Sequence, residues 1–212
     1  GAKGDAPQDG SVICIDGSDQ LMAMSLAILP EWGKTAPREM GAAVVDECVR
    51  QLVLVGANPE RIAILDNFCM GNPDDRRELG ALVETCKGMA EAALAYSAPF
   101  VSGKDSFYNF FEVDGESISI PVTLLLSGMG IVENEAHIIG SSIRRGDSVL
   151  MLLGKPTKNL GGSVLARRLD LKDQPVPKTD FEANWKRYAN YAAAVREGLI
   201  LSAHDVSEGG LL

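Results

Sequence analysis

Arg61-Ile62-Ala63-Ile64-Leu65-Asp66-Asn67-Phe68-Cys69-Met70-Gly71-Asn72-Pro73 is the stretch on which the fold turns. Its first part, Arg61–Leu65, is a compact apolar run too short for a helix and rich in residues that pack on a pleated surface, so it reads as a buried strand. The strand is expected to end at Asp66 and pass into a loop over Asn67–Pro73, punctuated by glycine and proline. On either side lie helical patterns. Upstream, Thr35 reads as a cap with Pro37 in the first turn, opening a helix to about Val55 that stops at Gly56. Met40, Val44, Cys48, Leu52 and Val55 recur at helical spacing as its buried stripe. Downstream, Asp74 or Asp75 caps a second helix through about Ala95, broken by Ser97-Ala98-Pro99.

Working outward, Phe100–Ser102 is another short strand, delivering Gly103-Lys104-Asp105-Ser106. Phe107–Val113 and Ser117–Ile120 flank Asp114-Gly115, a hairpin turn signal. Val122–Val132 reads as a further buried strand, Ser11–Ile15 as a short β-prone run, and Leu21–Leu29 as an apolar segment that periodicity alone does not assign. The expected architecture is α+β: a mixed sheet with helices 36–56 and 75–96 packed on one face, each through a single apolar stripe.

A composition break at Glu133–Gly146 separates this unit from a second pattern. It has a strand at Ser148–Leu153, a glycine-rich turn, a helix from Ser163, an amphipathic helix over Phe181–Glu197 and a strand at Leu199–Ala203. The domain expectation is a flexible lead-in over 1–10, a first domain over 11–133 and a second over 134–212. The last residues, Gly209-Gly210-Leu211-Leu212, read as a helix just beginning, which gives the expectation that the chain is a fragment ending early in its second domain.

Composition narrows the function classes. The 212 residues carry 20 Lys+Arg against 29 Asp+Glu, a net charge of −9, which argues against a nucleic-acid or anionic-membrane surface. The chain is 46% hydrophobic with mean hydropathy +0.04, enough for a packed core, and no apolar run approaches a membrane span. The four cysteines are scattered without a C-x-x-C pair and there are two histidines, so neither a zinc site nor a disulfide framework is expected. A cytoplasmic location is the expectation.

Three segments share a form, a strand ending in a polar cluster with glycine: Leu65–Pro73, Val101–Ser106 and Ala203–Gly210. Ligand groups converge at strand ends of open sheets, glycine lets backbone approach phosphate, and Asp, Asn or Ser oxygens suit Mg²⁺. Glu47 and Gln51, four apart, project from one helix face and either edge the buried stripe or reach together toward a metal. Gly103-Lys104-Asp105-Ser106 lacks the upstream glycine of a Walker A loop.

These segments, in this order, resemble the phosphoribosylformylglycinamidine synthase family. The likeness rests on Glu47-Cys48-Val49-Arg50-Gln51-Leu52-Val53, Val55–Cys69, Gly71-Asn72-Pro73, Ser102–Ser106 and His204-Asp205-Val206-Ser207-Glu208-Gly209-Gly210. It implies an aminoimidazole-ribonucleotide-synthetase-like N-terminal domain followed by the start of the C-terminal α/β domain, from the second of two homologous halves. The activity implied is a ligase that converts formylglycinamide ribonucleotide to the amidine in purine biosynthesis, using ATP, Mg²⁺ and ammonia from glutamine. The amide oxygen is phosphorylated and ammonia displaces the phosphate. By position, the resemblance puts Asp66, Gly103, Lys104 and Ser207 at nucleotide or phosphate, Ser106 at nucleotide or substrate, and Glu47, Gln51 and Asp205 on Mg²⁺. Gln51 stands where many members have Asn. Lys104 replaces an Asn metal ligand of short-form members, and an ammonium would bind phosphate instead. The catalytic histidine belongs to the first half, so no catalytic residue is assigned in this chain. The implied partners are that first half and a glutaminase domain or subunit. The sheet that normally meets the other half implies a homodimer of this chain. Other members of the fold (aminoimidazole ribonucleotide synthetase, selenophosphate synthetase, thiamin-phosphate kinase) and a non-catalytic nucleotide-holding half are the alternative readings.

Overall fold

The computed structural model describes residues 8–207 and 210. Strands β1 (Ser11–Cys14) and β2 (Leu21–Ile28) lead to a one-turn helix α1 (Pro30–Gly33) and the long helix α2 (Pro37–Leu54). Strand β3 (Ile62–Cys69), helix α3 (Arg76–Tyr96) and strand β4 (Phe100–Ser106) follow, then the hairpin β5 (Phe110–Val113)–β6 (Glu116–Ser119) and strand β7 (Thr123–Val132). The sheet order is β1-β2-β7-β3-β4. Only β3–β4 is parallel; the other three pairings are antiparallel. Leu21–Ile28, unassigned by periodicity, is therefore a central strand, fixed by its eight-residue pairing with β7. Asp114 and Gly115 both have positive φ, as the tight hairpin turn requires.

Capping follows local chemistry except at α1 and α2, whose starts have no side-chain cap bond. Asp75 accepts from Arg77 N at 2.7 Å to open α3 and Ser97 closes it in the left-handed region. Helix α2 is capped by Ala36, with no side-chain bond, so Thr35 does not take the expected role. Its stripe residues Met40, Val44, Cys48, Leu52 and Val55 are all buried. The helix is nonetheless not one-sided. Ala42, Val45, Val49 and Val53 are buried too, because the sheet covers one side of α2 while α3 and α5 (Phe181–Arg196) cover others. Helix α3 keeps a single stripe: Thr85, Gly88, Met89, Ala92 and Tyr96. Cys48 packs at the centre, bonded to Ser25, and burial pushes its thiol up to about 12.

The second unit contributes α4 (Val164–Arg168), capped by Ser163, and α5, capped by Asp180. The segments Ser148–Leu153 and Leu199–Ala203 are not strands. Their β-prone side chains find no pairing edge, and Val149, Leu150 and Met151 stand in solvent. Of the helix start expected over 209–212, residues 209, 211 and 212 lie outside the described ones, as do residues 1–7 and 208. Gln8–Gly10 are held in place: Gln8 accepts from Ser141 N at 2.7 Å and Gly10 lies against the Met24 carbonyl and Val55. No helix among the described residues is long and apolar enough to cross a membrane.

Candidate functional site

The candidate residues fall into two groups. The first lies on the β3–β4 pair. Strand β3 does not end at Asp66 but runs on to Cys69, leaving only residues 70–73 of the expected loop outside it, and β4 runs through Gly103-Lys104-Asp105-Ser106. Their parallel register sets Asp66 beside Gly103, Asn67 beside Lys104 and Cys69 beside Ser106. Since side chains alternate along a strand, Asp66, Gly103 and Asp105 share one face and Lys104 and Ser106 the other. Cys86 of helix α3 lies toward the first face: burial raises its thiol and the charges of Asp66 and Asp105 add to the shift, while Gly103 and Asp105 themselves stay exposed. A Cβ at Gly103 would sit 2.7 Å from Asp66 Oδ1, so glycine is what lets the carboxylate lie over this strand. Desolvation raises the Asp66 carboxyl above its ordinary range, and Asp105 adds to the shift. On the opposite face Lys104 donates to the Ser106 hydroxyl. Because β4 is the edge of the sheet, one ligand touches both faces only by wrapping that edge.

The second group lies on the C-terminal half of α2. Glu47 and Gln51 do face each other, with Gln51 Nε2 donating to Glu47 Oε1 at 3.5 Å. Gln51 Oε1 is buried without a hydrogen-bond partner, a polar atom of the kind that a bound cation or water satisfies. Between them, Arg50 reaches two carboxylates at once. Its Nη1 donates to Asp46 Oδ2 at 2.9 Å, and its Nη2 and Nε donate to Asp205 Oδ2 at 3.2 and 3.4 Å. Burial opposes the Arg50 charge, but Asp46, Asp205 and Glu47 outweigh it and hold the guanidinium charged. Asp205 is almost wholly buried and also accepts from Ser207 Oγ at 3.2 Å. The segment His204–Ser207 is thus seated on α2 beside the Glu47–Gln51 pair.

Two further residues complete this group. Asp9 Oδ1 lies 2.8 Å from His204 Nδ1, and ligand atoms of Asp9, His204 and Asp205 all lie within 4.8 Å of one another. Burial raises the Asp9 carboxyl; the bond from His204 works against the shift and Asp205 adds to it. The bond to Asp9 raises His204 in turn. Sequence reading set Asp9 aside with a glycine- and proline-rich lead-in, and its isolation from any apolar pattern left no local signal. Arg50, inside the quoted Glu47–Val53 stretch, could have been singled out as the one cation on an otherwise apolar or acidic turn. Asp9 and Asp205 bring carboxylate oxygens close to the His204 ring nitrogen, and Glu47 and Gln51 form a separate oxygen-bearing pair on the adjoining helix; carboxylate and amide oxygens are the donors that suit Mg²⁺.

Comparison with known proteins bears on the family and the fold. Residues 7–132 match the model of the AIR synthase related protein, N-terminal domain, and residues 144–212 that of the C-terminal domain. The chain is 34% identical, over 205 residues, to the phosphoribosylformylglycinamidine synthase subunit PurL of Granulibacter bethesdensis, covering 96% of this chain and 27% of that protein. The chain therefore spans about a quarter of the curated relatives it matches. Among solved structures, Thermotoga maritima PurL complexed with FGAR superimposes with a TM-score of 0.53 at 24% identity, over 62% of this chain and 20% of that one. AaThiL complexed with AMPPCP and TMP superimposes with a TM-score of 0.55 at 16% identity, over 90% of this chain and 56% of that one. A matched N-terminal domain over more than half the chain, followed in order by the matched C-terminal domain, places this protein in the AIR synthase related family.

Proposed function

We propose that this chain is the second synthetase-like half of a phosphoribosylformylglycinamidine synthase and contributes an ATP and Mg²⁺ site to that ligase. The observation that carries the reading is the seating of His204–Ser207 on α2. It brings Asp205, Ser207 and Asp9 to the helix that bears Glu47 and Gln51. The chain spans about a quarter of relatives that are themselves named as a subunit of this synthase, so formylglycinamide ribonucleotide, glutamine-derived ammonia, the first half and a glutaminase partner are proposals for the longer protein, working in the cytoplasm.

In this reading Asp9, Asp205, Glu47 and Gln51 hold the cation, and Ser207 donates to a phosphate oxygen. Bound Mg²⁺ would neutralise phosphate charge and fix its orientation, which is most of what phosphoryl transfer asks of a protein. Asp66, placed by Gly103, accepts from nucleotide on the α3 side of the β3–β4 pair. Lys104 supplies positive charge to phosphate on the other side, with Ser106 beside it for nucleotide or substrate.

The test is calorimetric titration of the 212-residue chain with ATP, with and without Mg²⁺, alongside Asp205→Ala. Mg²⁺-dependent binding that weakens by about tenfold or more in the variant is expected. Binding indifferent to both Mg²⁺ and Asp205 would overturn the site assignment. The chain alone is expected not to convert formylglycinamide ribonucleotide with ATP and ammonia; turnover by the pure chain would overturn its reading as half of a site.

A further inference from the structure

The polar network behind Asp205 belongs to neither group of proposed ligand residues. Asp46, on α2, is buried, and its carboxylate is fully engaged. Oδ1 accepts from Tyr188 Oη at 2.8 Å, from Asn184 Nδ2 at 2.7 Å and from the Tyr96 hydroxyl; Oδ2 accepts from Arg50 at 2.9 Å. Three elements meet at this one side chain: α2 supplies it, α3 brings Tyr96, and α5 brings Asn184 and Tyr188; Arg50, also on α2, passes the connection to the 203–207 segment. A buried carboxylate survives only with such partners. The guanidinium is used along two edges, one toward Asp46 and one toward Asp205, a geometry that a lysine ammonium cannot reproduce.

We propose that Asp46 and Arg50 are positioning residues: Asp46, clamped by α3 and α5, fixes Arg50, and Arg50 fixes Asp205 and with it the 203–207 segment. The proposal rests on the reading of Asp205 and Ser207 as cation and phosphate contacts. It adds that their placement is set from behind, by the packing of α5 on α2 and α3. Docking of the second unit and readiness of the site are then one event, because the same carboxylate serves both.

A local probe exists in the Ala203 amide, which donates to Gly140 O at 3.0 Å when the segment is seated. Amide exchange is compared in the unaltered 212-residue chain, Arg50→Lys and Asp46→Asn, with the affinity for Mg²⁺-ATP measured on the same samples. Arg50→Lys keeps the charge and loses the fork, whereas Asp46→Asn keeps an oxygen for Tyr96, Tyr188 and Asn184 and loses the charge facing Arg50. Both are expected to speed exchange at Ala203 by about tenfold, to leave α2 core amides unchanged and to weaken Mg²⁺-ATP. Unchanged Ala203 exchange in both variants overturns the proposal, and so does acceleration spread evenly over α2 and α3, which marks a purely structural role. If either variant does not fold, the other decides alone. Absence of Mg²⁺-ATP binding in the unaltered chain defeats the site reading, while exchange still decides the relay.

Discussion

At Asp66 a carboxylate is held over Gly103, partly desolvated and near the like charge of Asp105. The folded-state carboxyl is shifted up, so folding favours its protonated form. Its charged form costs stability that is fully felt above the folded pKa and vanishes below the unfolded one. Asp66→Asn is therefore expected to raise the melting temperature at pH 7, with the gain shrinking as the pH falls toward about 4. A pH-independent change, or a loss of stability at pH 7, would contradict this. A group kept at such a cost is a functional candidate on physical grounds. Its chemistry was legible in the sequence; its face was not. Nothing apolar marks Asp66, Asn67 or Lys104 as strand; β3 continues through the first two and β4 through the third because the β3–β4 and β3–β7 pairings continue. The alternation that separates Asp66 from Lys104 appears only with that register.

Among the elements, α2 and α3 make the closest contact, and two glycines allow it. A Cβ at Gly88 would lie 1.9 Å from Arg38 O, and one at Gly41 2.3 Å from Thr85 O. Gly88→Ala improves intrinsic helix propensity by about 1 kcal/mol but forces two backbones apart at a cost of up to about 3 kcal/mol. The expected result in chemical denaturation is a net destabilisation of about 1–2 kcal/mol. Gly80 lies in the same helix with nothing within 4 Å of its added Cβ, so Gly80→Ala is expected to stabilise by about 0.5–1 kcal/mol. Equal effects of the two substitutions would refute this account of the helix pair. The extents of both helices and the α2 stripe could be read from periodicity, and the α3 cap from Asp75; the α2 cap could not. The near-complete burial of α2 could not, since its third cover, α5, arrives more than 120 residues later in the chain. The same logic explains Ser148–Leu153: β-prone residues state a preference, and a strand needs an edge to pair with.

On the scale of the whole molecule, the helices cover one face of the five-stranded sheet and leave the other open. Ile13, Met24, Leu26, Ile28 and Met129 stand on that open face, with Leu26 62% exposed at its centre. Strands β2 and β7 carry apolar residues on both sides, so periodicity does not separate their faces, and only the register shows which set faces the helices. A contiguous apolar patch of this kind is uncommon on a monomer, and a second copy of the same surface can cover it by two-fold symmetry. The charge of −9 per chain opposes association only weakly at physiological salt, where screening acts over about 8 Å. The chain is therefore expected to form a homodimer through this face. Light scattering at roughly 50 μM protein should give twice the 22.6 kDa chain mass. Leu26→Glu removes no buried contact from the monomer but sets two like charges near the dimer axis, so it should yield a folded 22.6 kDa particle. A monomeric unaltered chain, or a Leu26→Glu variant that still dimerises, would show that the open face does not meet its own copy.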